Sequence, residues 1–356
     1  MTSLEDLPLR SDLRGEKPYG APQLDVPVQL NVNENTFGIP EPVALEIVER
    51  LAAEVIRLNR YPDREFLELR AQLAKYLGFG LDASQIWAAN GSNEVLMQLF
   101  QAFGGPGRLA MSFGPTYSMY PNIARISLTE YRQADREADF ELSAEYVAER
   151  IDAERPDIVL ICSPNNPTGT PVDLGVIQAA YEASEGMLIV DEAYAEFSEA
   201  ESALSLLPGR ERLVVSRTMS KAFAFAGARV GYMAADSAVV DAMRIVRLPY
   251  HLSALTQAAA SAALSYAPLM LQNVERIKQQ RDRIIEAVTK MGLRAYRSDS
   301  NFVLVEGFGD PNLVFEQLLG RGVLIRNVGI PGTLRITAGT ETETTKLLAE
   351  LALLVD

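Results

Sequence analysis

Five polar segments follow directly after apolar runs of the sequence, and their residue types point to one kind of chemistry. The first, Thr218-Met-Ser-Lys221, comes after the apolar run Leu213–Ser216. A lysine in such a setting is expected to have a lowered pKa, and a neutral amine forms an imine with an aldehyde cofactor. Thr218, Ser220 and Arg229 supply hydroxyls and a charge that can hold a phosphate group. A Ser-Lys pair alone is a weak signal, because most lysines in loops are simply solvated.

The second segment pairs a carboxylate with a phenol. Asp191 ends the apolar run that begins at Leu188, and Tyr194 follows three residues later. A buried carboxylate needs a cationic partner. The ring nitrogen of pyridoxal 5′-phosphate (PLP) is such a partner, and the ion pair keeps the ring an electron sink. Tyr194 can hydrogen-bond the 3′-oxygen of that ring. An aspartate that caps the next helix is the alternative, and the sequence leaves both open.

The other three segments offer a neutral amide, a phosphate-binding helix start and an aromatic ring. Asn166 stands in the rigid turn Ser163–Gly169. Ser92 or Asn90 can cap a helix whose free N–H groups suit a phosphate, and Tyr117 can stack on a pyridine ring. A rigid turn, a cap and ordinary packing explain each feature separately. Together the five segments favour a single PLP site.

The elements that carry these segments predict an α/β fold. Apolar strand candidates alternate with helical stretches, which predicts a doubly wound, mostly parallel sheet. Binding sites in such sheets lie at the carboxyl ends of the strands. The strand candidates are Arg108–Ser112, Asp157–Cys162, Met187–Val190, Leu213–Ser216 and Ala228–Met233. We predict an irregular arm over residues 1–40, a large domain over 41–255 and a smaller α+β domain over 256–356.

Composition excludes several classes of function. The net charge of −14 disfavours nucleic acid as a partner. With Cys162 and His251 as the single cysteine and histidine, a structural zinc site and a Ser-His-Asp hydrolase are nearly excluded by the inventory of residues alone. We expect no bound metal, and we expect His251 to be a packed or surface residue. The sequence shows no signal peptide and no run of about 18 apolar residues, so we expect a cytoplasmic protein without membrane contact.

The whole pattern resembles the fold-type I PLP-dependent aminotransferases. Within them it is most similar to the histidinol-phosphate aminotransferase family, in particular its actinobacterial members, and the similarity covers nearly the whole chain. The segments that carry it include Leu30-Asn-Val-Asn-Glu-Asn35, Arg60-Tyr-Pro-Asp63, Ser163-Pro-Asn-Asn-Pro-Thr-Gly169, Asp191-Glu-Ala-Tyr194, Ser220-Lys-Ala-Phe223 and Leu334-Arg-Ile-Thr337.

The resemblance implies a role for each matching residue around the cofactor. Lys221 forms the imine and shuttles the proton, and Asp191 pairs with the ring nitrogen. Tyr194 and Asn166 hold the 3′-oxygen, and Tyr117 stacks on the ring. The residues implied to hold the cofactor phosphate are Ser92, Asn93, Thr218, Ser220 and Arg229.

The resemblance also implies the substrates and the assembly. Arg335 binds the anionic end of the substrate, with Tyr19, Asn33 and Arg326 as further substrate-side candidates. Tyr61 matches a tyrosine that reaches the cofactor phosphate of the neighbouring subunit, which implies a homodimer. The implied reaction moves an amino group between histidinol phosphate and 2-oxoglutarate, giving imidazole acetol phosphate and glutamate, in histidine biosynthesis. An arginine fork can pair with either a phosphate or a carboxylate.

Two positions depart from the family pattern, and other functions stay open. Thr36-Phe37 stands where many members have proline and an aromatic residue, and His251 where many have asparagine. Either change can alter substrate preference. The alternatives are an aromatic amino-acid aminotransferase, a PLP-dependent decarboxylase of a phosphorylated amino acid, and the PLP-fold half of a transcription regulator. The last needs a DNA-binding module, for which the N-terminal arm is too short and too acidic.

Overall fold

A computed structural model describes residues 3–18 and 20–355 of the chain. The strands are β1 Val28–Gln29, β2 Ile86–Ala89, β3 Leu109–Gly114, β4 Glu130–Asp135, β5 Ile158–Cys162, β6 Met187–Asp191, β7 Leu213–Thr218, β8 Gly231–Ala235, β9 Arg294–Ala295, β10 Phe302–Glu306, β11 Val323–Leu324 and β12 Thr333–Thr337. The α-helices are α1 Glu41–Val55, α2 Leu67–Leu77, α3 Ser92–Phe103, α4 Met119–Ile126, α5 Ala144–Glu154, α6 Leu174–Ala183, α7 Ser237–Val246, α8 Ala254–Ser265, α9 Ala267–Lys290, α10 Pro311–Gly320 and α11 Glu341–Ala352.

A large mixed sheet forms the centre of the molecule. In the described part of the chain its seven strands have the order β2-β8-β7-β6-β5-β3-β4. The pairs from β7 to β4 are parallel, whereas β8 runs antiparallel to both β7 and β2. The predicted α/β fold with a mostly parallel sheet is therefore confirmed.

Burial explains why the central strands read as unbroken apolar runs. Every residue of β5 and of β6 is buried, because helices cover both faces of a parallel sheet. Among these helices, α5 packs against α6, and α3 packs against α7. The parallel strands from β3 to β7 therefore bring their carboxyl ends to the same edge, where the polar segments begin.

A second, smaller sheet stands beside the first. Its strands have the order β12-β10-β9 and are antiparallel, and α9 packs against β10 and β9. The short β1, from the N-terminal arm, pairs in parallel with β11. The predicted domain limits remain predictions. The helix that spans the predicted limit at residue 255, α8, packs against α1 and α2.

The described helices differ from membrane-spanning helices in their combination of length and apolar character, and several of them begin with a capping side chain. Over residues 3–18 and 20–355, none combines the length and apolar character needed to cross a bilayer. Several helices begin with a side-chain cap that satisfies a free backbone N–H. Ser143 caps α5, and Thr340 with Glu343 forms a reciprocal capping box on α11.

Candidate active site

The carboxyl ends of the parallel strands open into a cavity of about 520 Å³. Segments after β3 and β5, the ends of β6 and β7, the start of α3 and part of the small sheet all line it. The predicted residues that the structure brings together there are Asn33, Ser92, Asn93, Tyr117, Asn166, Asp191, Tyr194, Thr218, Ser220, Lys221, Arg229, Arg326 and Arg335.

Lys221 carries the amine of this cavity. Its Nζ donates a hydrogen bond of 3.1 Å to the backbone carbonyl of Val32. Burial and, to a smaller extent, the positive charge of Arg335 lower the pKa of Lys221 to about 8, although the negative charge of Glu34 opposes the shift. The amine is therefore partly neutral, and nucleophilic, at a pH at which an exposed lysine is fully charged.

Asp191 presents an unsatisfied carboxylate oxygen. The hydroxyl of Tyr120 donates to Oδ2 at 2.9 Å, and Oδ1 is buried with no hydrogen-bond partner among the described residues. Burial raises the pKa of Asp191 to about 6, although the bond from Tyr120 opposes this. An orphaned buried acceptor is costly, so this oxygen suits a cationic or N–H group brought into the cavity by a ligand.

Tyr194 accepts hydrogen bonds from two amides. Asn33 Nδ2 donates to its hydroxyl at 3.0 Å, and Asn166 Nδ2 does so at 3.5 Å. The Oδ1 atom of Asn166 in turn accepts from Arg335 Nη1 at 2.7 Å. Burial raises the pKa of Tyr194, so the phenol keeps its proton at neutral pH.

The start of α3 offers free backbone donors to the cavity. Gly91 is the N-cap, with a φ of 86°, and no side chain caps the helix. The expected cap from Ser92 or Asn90 is therefore wrong: the Asn90 side chain instead donates to Glu94 Oε2 at 2.6 Å and to the His251 carbonyl at 2.7 Å. The first N–H groups of α3 stay available for an anion, as at other helix starts.

Two glycines keep this corner of the cavity open. A Cβ on Gly91 would lie 2.4 Å from Arg229 Nη2, so the glycine makes room for the guanidinium. A Cβ on Gly231 would lie 2.0 Å from the backbone nitrogen of Ser92, so only glycine lets β8 approach α3 this closely. Nearby, Thr218 Oγ1 donates to Ser220 Oγ at 2.9 Å. Hydroxyls, N–H groups and a guanidinium thus converge where an anion can bind.

Two arginines enter the cavity from the small sheet. Arg326 and Arg335 are direct partners in an antiparallel bridge, joined by backbone hydrogen bonds of 3.1 and 2.8 Å. Arg335 is buried, and its Nη2 also donates to the carbonyl of Asn31 at 2.7 Å. The geometry gives the cavity a concentrated positive charge that suits an anionic substrate.

A family comparison identifies this arrangement. The model of the aminotransferase class I and II family matches residues 26–351. The chain belongs to this family. The cavity that holds the amine, the buried carboxylate and the group of anion-binding donors is thus the cavity of an aminotransferase.

Comparison with curated relatives shows which group of aminotransferases this chain belongs to. It is 59% identical to a histidinol-phosphate aminotransferase of Paenarthrobacter aurescens (strain TC1), over 99% of this chain and 96% of the relative. It is 52% identical to one of Thermobifida fusca (strain YX), over 96% of this chain and 94% of the relative. The chain therefore groups with the histidinol-phosphate aminotransferases.

Solved structures share the fold of the aminotransferase. The histidinol-phosphate aminotransferase from Sinorhizobium meliloti in complex with pyridoxal-5′-phosphate aligns with a TM-score of 0.84, at 24% identity, over 93% of this chain and 91% of that one. A mutant aspartate aminotransferase from Thermus thermophilus aligns with a TM-score of 0.82, also at 24% identity, over 97% of this chain and 99% of that one. At these identities the alignments show the fold, and they confirm the predicted fold type I.

Tyr61 and His251, two described residues singled out from the sequence, do not line the cavity. Tyr61 of the aminotransferase is 79% exposed and stacks on Tyr250 at 4.3 Å between ring centroids. His251 packs against both Trp87 and Phe66, and its Nε2 lies 2.9 Å from the Ala88 carbonyl, as expected for a packed residue. Tyr19 lies outside the described residues.

Not every residue of the site was predicted from the sequence. Asn31, Val32 and Glu34 line the cavity beside Asn33, and their position in the same short segment was the available signal. Tyr120 lies behind Asp191 and contacts it directly. Tyr120 is three residues from Tyr117, so the two tyrosines lie in the same turn of the chain. Only the folded sheet brings that turn next to Asp191 at the end of β6.

Proposed function

We propose that this aminotransferase catalyses the reversible transfer of an amino group between L-histidinol phosphate and 2-oxoglutarate, giving imidazole acetol phosphate and L-glutamate, in histidine biosynthesis. The observation that carries the proposal is a low-pKa amine, Lys221, in one cavity with the bridged pair Arg326 and Arg335. The names of relatives at 52% and 59% identity support the same reaction. A cytoplasmic location fits this reaction and the single cysteine of the chain.

The cavity fits PLP as the cofactor. The orphaned Oδ1 of Asp191 suits the ring nitrogen, and the uncapped start of α3 suits the phosphate. Around that phosphate we assign the donors Ser92, Asn93, Thr218, Ser220 and Arg229. When bound, PLP supplies an aldehyde and an electron-withdrawing ring, which make the transfer of an amino group possible.

The side chains of the protein bind and orient the cofactor, and one of them carries the proton. We assign Lys221 as the nucleophile and the proton carrier, because its lowered pKa leaves a neutral amine available near neutral pH. Tyr194 and Asn166 are assigned to the 3′-oxygen side of the cofactor, where their hydrogen bond joins them. Tyr117, whose hydroxyl donates to Asn93 Oδ1 at 3.1 Å, is assigned to the ring face.

The arginine pair is assigned to the anionic end of the substrate. Histidinol phosphate carries a phosphate ester where glutamate carries a carboxylate, and a guanidinium fork accepts both anions. Arg335 and Arg326 supply that fork in our assignment, with Tyr19 and Asn33 as further substrate-side candidates. Two substrates with different tails can thus use one cavity in turn.

We further propose that the enzyme is a homodimer with shared active sites. Exposed apolar side chains gather on α1, on α7 and on the segments that follow them, and Tyr61 stacks on Tyr250 where these segments meet. Among them are Leu45, Val48, Ile56, Ile245 and Leu248, each more than half exposed. An apolar surface of this kind marks a protein interface, and a two-fold axis would repeat every contact.

The proposed function predicts that histidinol without its phosphate is a poor amino donor. A site built around two arginines leaves buried charge unmatched when the anion is missing, which costs roughly 10²-fold or more in kcat/KM. The measurement is kcat/KM of the purified enzyme for histidinol phosphate and for histidinol, with 2-oxoglutarate as acceptor. Equal values would contradict the assignment of the arginines. Turnover of phenylpyruvate without turnover of histidinol phosphate would instead identify an aromatic amino-acid aminotransferase.

A further inference from the structure

A buried hydrogen-bond network ties the segment 30–37, hereafter the strap, to both sheets. Asn33, in the middle of the strap, is 1% exposed and has a φ of 57°, a left-handed conformation that asparagine tolerates. Its backbone N–H donates to Thr337 Oγ1 at 3.2 Å, and Asn301 Nδ2 donates to its carbonyl at 3.0 Å. The strap is therefore fixed to β12 of the small sheet beside the cavity.

The same network fixes which way the Asn33 amide faces. The backbone N–H of Asn33 can only donate, so Thr337 Oγ1 accepts it. A hydroxyl can accept two hydrogen bonds, but among the described residues Asn33 Oδ1, at 2.9 Å, is the only acceptor for the Thr337 hydroxyl hydrogen, so that hydrogen goes to Oδ1. With its oxygen occupied in this way, the amide turns its Nδ2 hydrogens to the hydroxyl of Tyr194, at 3.0 Å.

The bonds received by Tyr194 determine where its own hydrogen points. Asn33 donates to the phenol oxygen at 3.0 Å and Asn166 at 3.5 Å, so both neighbouring amides are donors. A hydroxyl that accepts on these sides must give its hydrogen elsewhere, and Tyr194 lines the cavity. Accepting a hydrogen bond also makes an O–H group a stronger donor, because bonds in a chain polarise one another.

From this geometry we propose that Asn33 is a positioning residue that makes Tyr194 a hydrogen-bond donor to the 3′-oxygen of PLP. The inference rests on the proposed function, since that function places Tyr194 beside this oxygen. It gives Asn33 a role different from the substrate contact implied by family resemblance. It also links β12, which carries Arg335 and Thr337, to the electronic state of the cofactor through one buried amide.

The consequence concerns the pH at which the bound cofactor loses the proton on the nitrogen joined to Lys221. The hydrogen bond from Tyr194 should lower the midpoint of that titration. A donor to the 3′-oxygen withdraws negative charge that would otherwise hold the proton on the nitrogen joined to Lys221. The visible absorption of the bound cofactor changes when that proton leaves. Weakening the donor must therefore move the absorption change to higher pH, whether or not substrate turnover is affected.

The test is a spectrophotometric pH titration of the PLP-loaded protein. Asn33→Gly removes the amide and keeps the left-handed backbone free of strain, and we expect the midpoint to rise by about half a pH unit. Asn33→Asp places a carboxylate that accepts the Tyr194 hydrogen instead of donating to the phenol oxygen, and we expect a rise of about one unit or more. Thermal unfolding of the cofactor-free variants checks that both remain folded.

Asn31 provides the matched control. It lies in the same strap and is 3% exposed, but its side chain donates to the Pro22 carbonyl at 2.8 Å and not to Tyr194. Asn31→Ala should leave the midpoint where the wild type has it. In a Tyr194→Phe background, which has its own raised midpoint, Asn33→Gly should add no further shift.

The results that would contradict the inference can be told apart from the result that would contradict the proposed function. An unchanged midpoint in Asn33→Gly, an equal shift in Asn31→Ala, or a full extra shift in the Tyr194→Phe background would show that Asn33 does not act through Tyr194. An unchanged midpoint in Tyr194→Phe alone would remove the assigned role of Tyr194 and the inference with it. A wild-type protein that takes up no PLP would overturn the proposed function itself.

Discussion

At the scale of single residues, the site depends on polar groups whose ordinary behaviour is altered by burial. Lys221 is less basic than a free lysine, and Asp191 is less acidic than a free aspartic acid. Both shifts have the same cause, since burial disfavours the charged form of each group. A cationic ligand group beside Asp191 favours its charged form, so the pKa of this carboxyl is expected to fall when the cofactor is bound.

The lowered pKa of Lys221 predicts how the cofactor-free protein reacts with PLP. The neutral amine is the nucleophile, so the rate of PLP uptake should rise with pH and level off above about 8, the pKa of Lys221. An ordinary lysine would keep gaining reactivity up to its usual 10.5. Stopped-flow absorbance from pH 6 to 10 measures the profile, with Lys221→Ala as the control that should neither turn yellow nor catalyse transfer. A rate still climbing at pH 10 would contradict the prediction.

At the scale of elements, the sheet edge decides which segments meet. Strands β3, β5, β6 and β7 end at one edge because they are parallel, and each is followed by a polar segment. The sequence pattern located these strands to within about two residues of their observed ends. It missed β2 and the edge strand β4, and it began the strand that became β8 three residues early, at Ala228 instead of Gly231. Arg229, with a φ of 56°, lies in the turn before β8 and not in the strand.

The contact between β8 and the start of α3 predicts the effect of a single methyl group. In Gly231→Ala the new Cβ would lie 2.0 Å from the Ser92 nitrogen and 2.2 Å from the Gly91 carbonyl carbon, so backbone must move. We expect a loss of about 2 kcal/mol or more in the free energy of unfolding, together with weaker PLP binding. Denaturant unfolding and PLP titration measure the two effects.

The lysine segment supplies the control for that substitution. A Cβ on Gly227 meets nothing within 4 Å and the residue is exposed, so Gly227→Ala should change neither quantity. If Gly231→Ala were as stable as the wild type and bound PLP equally well, the close approach of β8 to α3 would not be a constraint on the site.

At the scale of the whole molecule, exposed apolar side chains are concentrated on α1, on α7 and on the segments that follow these helices. Ile56, Ile245 and Leu248 are each more than three-quarters exposed, and Tyr61 lies among them, away from the cavity of its own chain. The cost of leaving such side chains in water favours association through this surface. In a two-fold dimer each Tyr61 would then serve the cavity of the other subunit.

Mixed dimers test whether the site is shared. When chains carrying Lys221→Ala are refolded together with chains carrying Tyr61→Ala, random pairing makes about half of the dimers mixed. One cavity of each mixed dimer then receives both lesions and the other receives neither, so about a quarter of all cavities should be intact. Activity well above both parents is the expected result. A mixture no more active than the parents would show that Tyr61 serves its own chain or has only a structural role.

The sequence by itself determined the chemistry, because side-chain type and strand-end position are local properties. Lys221, Asp191 and Asn166 each follow an apolar run, and parallel strands must bring such ends together. Only the tertiary structure decided which polar atoms remain unsatisfied and which way they face. The Asn33 contact with Tyr194 joins residues far apart in the chain, and the orphaned Asp191 Oδ1 and the uncapped start of α3 depend on what packs around them. Sequence spacing carries no information on such contacts, since they depend on how two sheets and a crossing strap pack together.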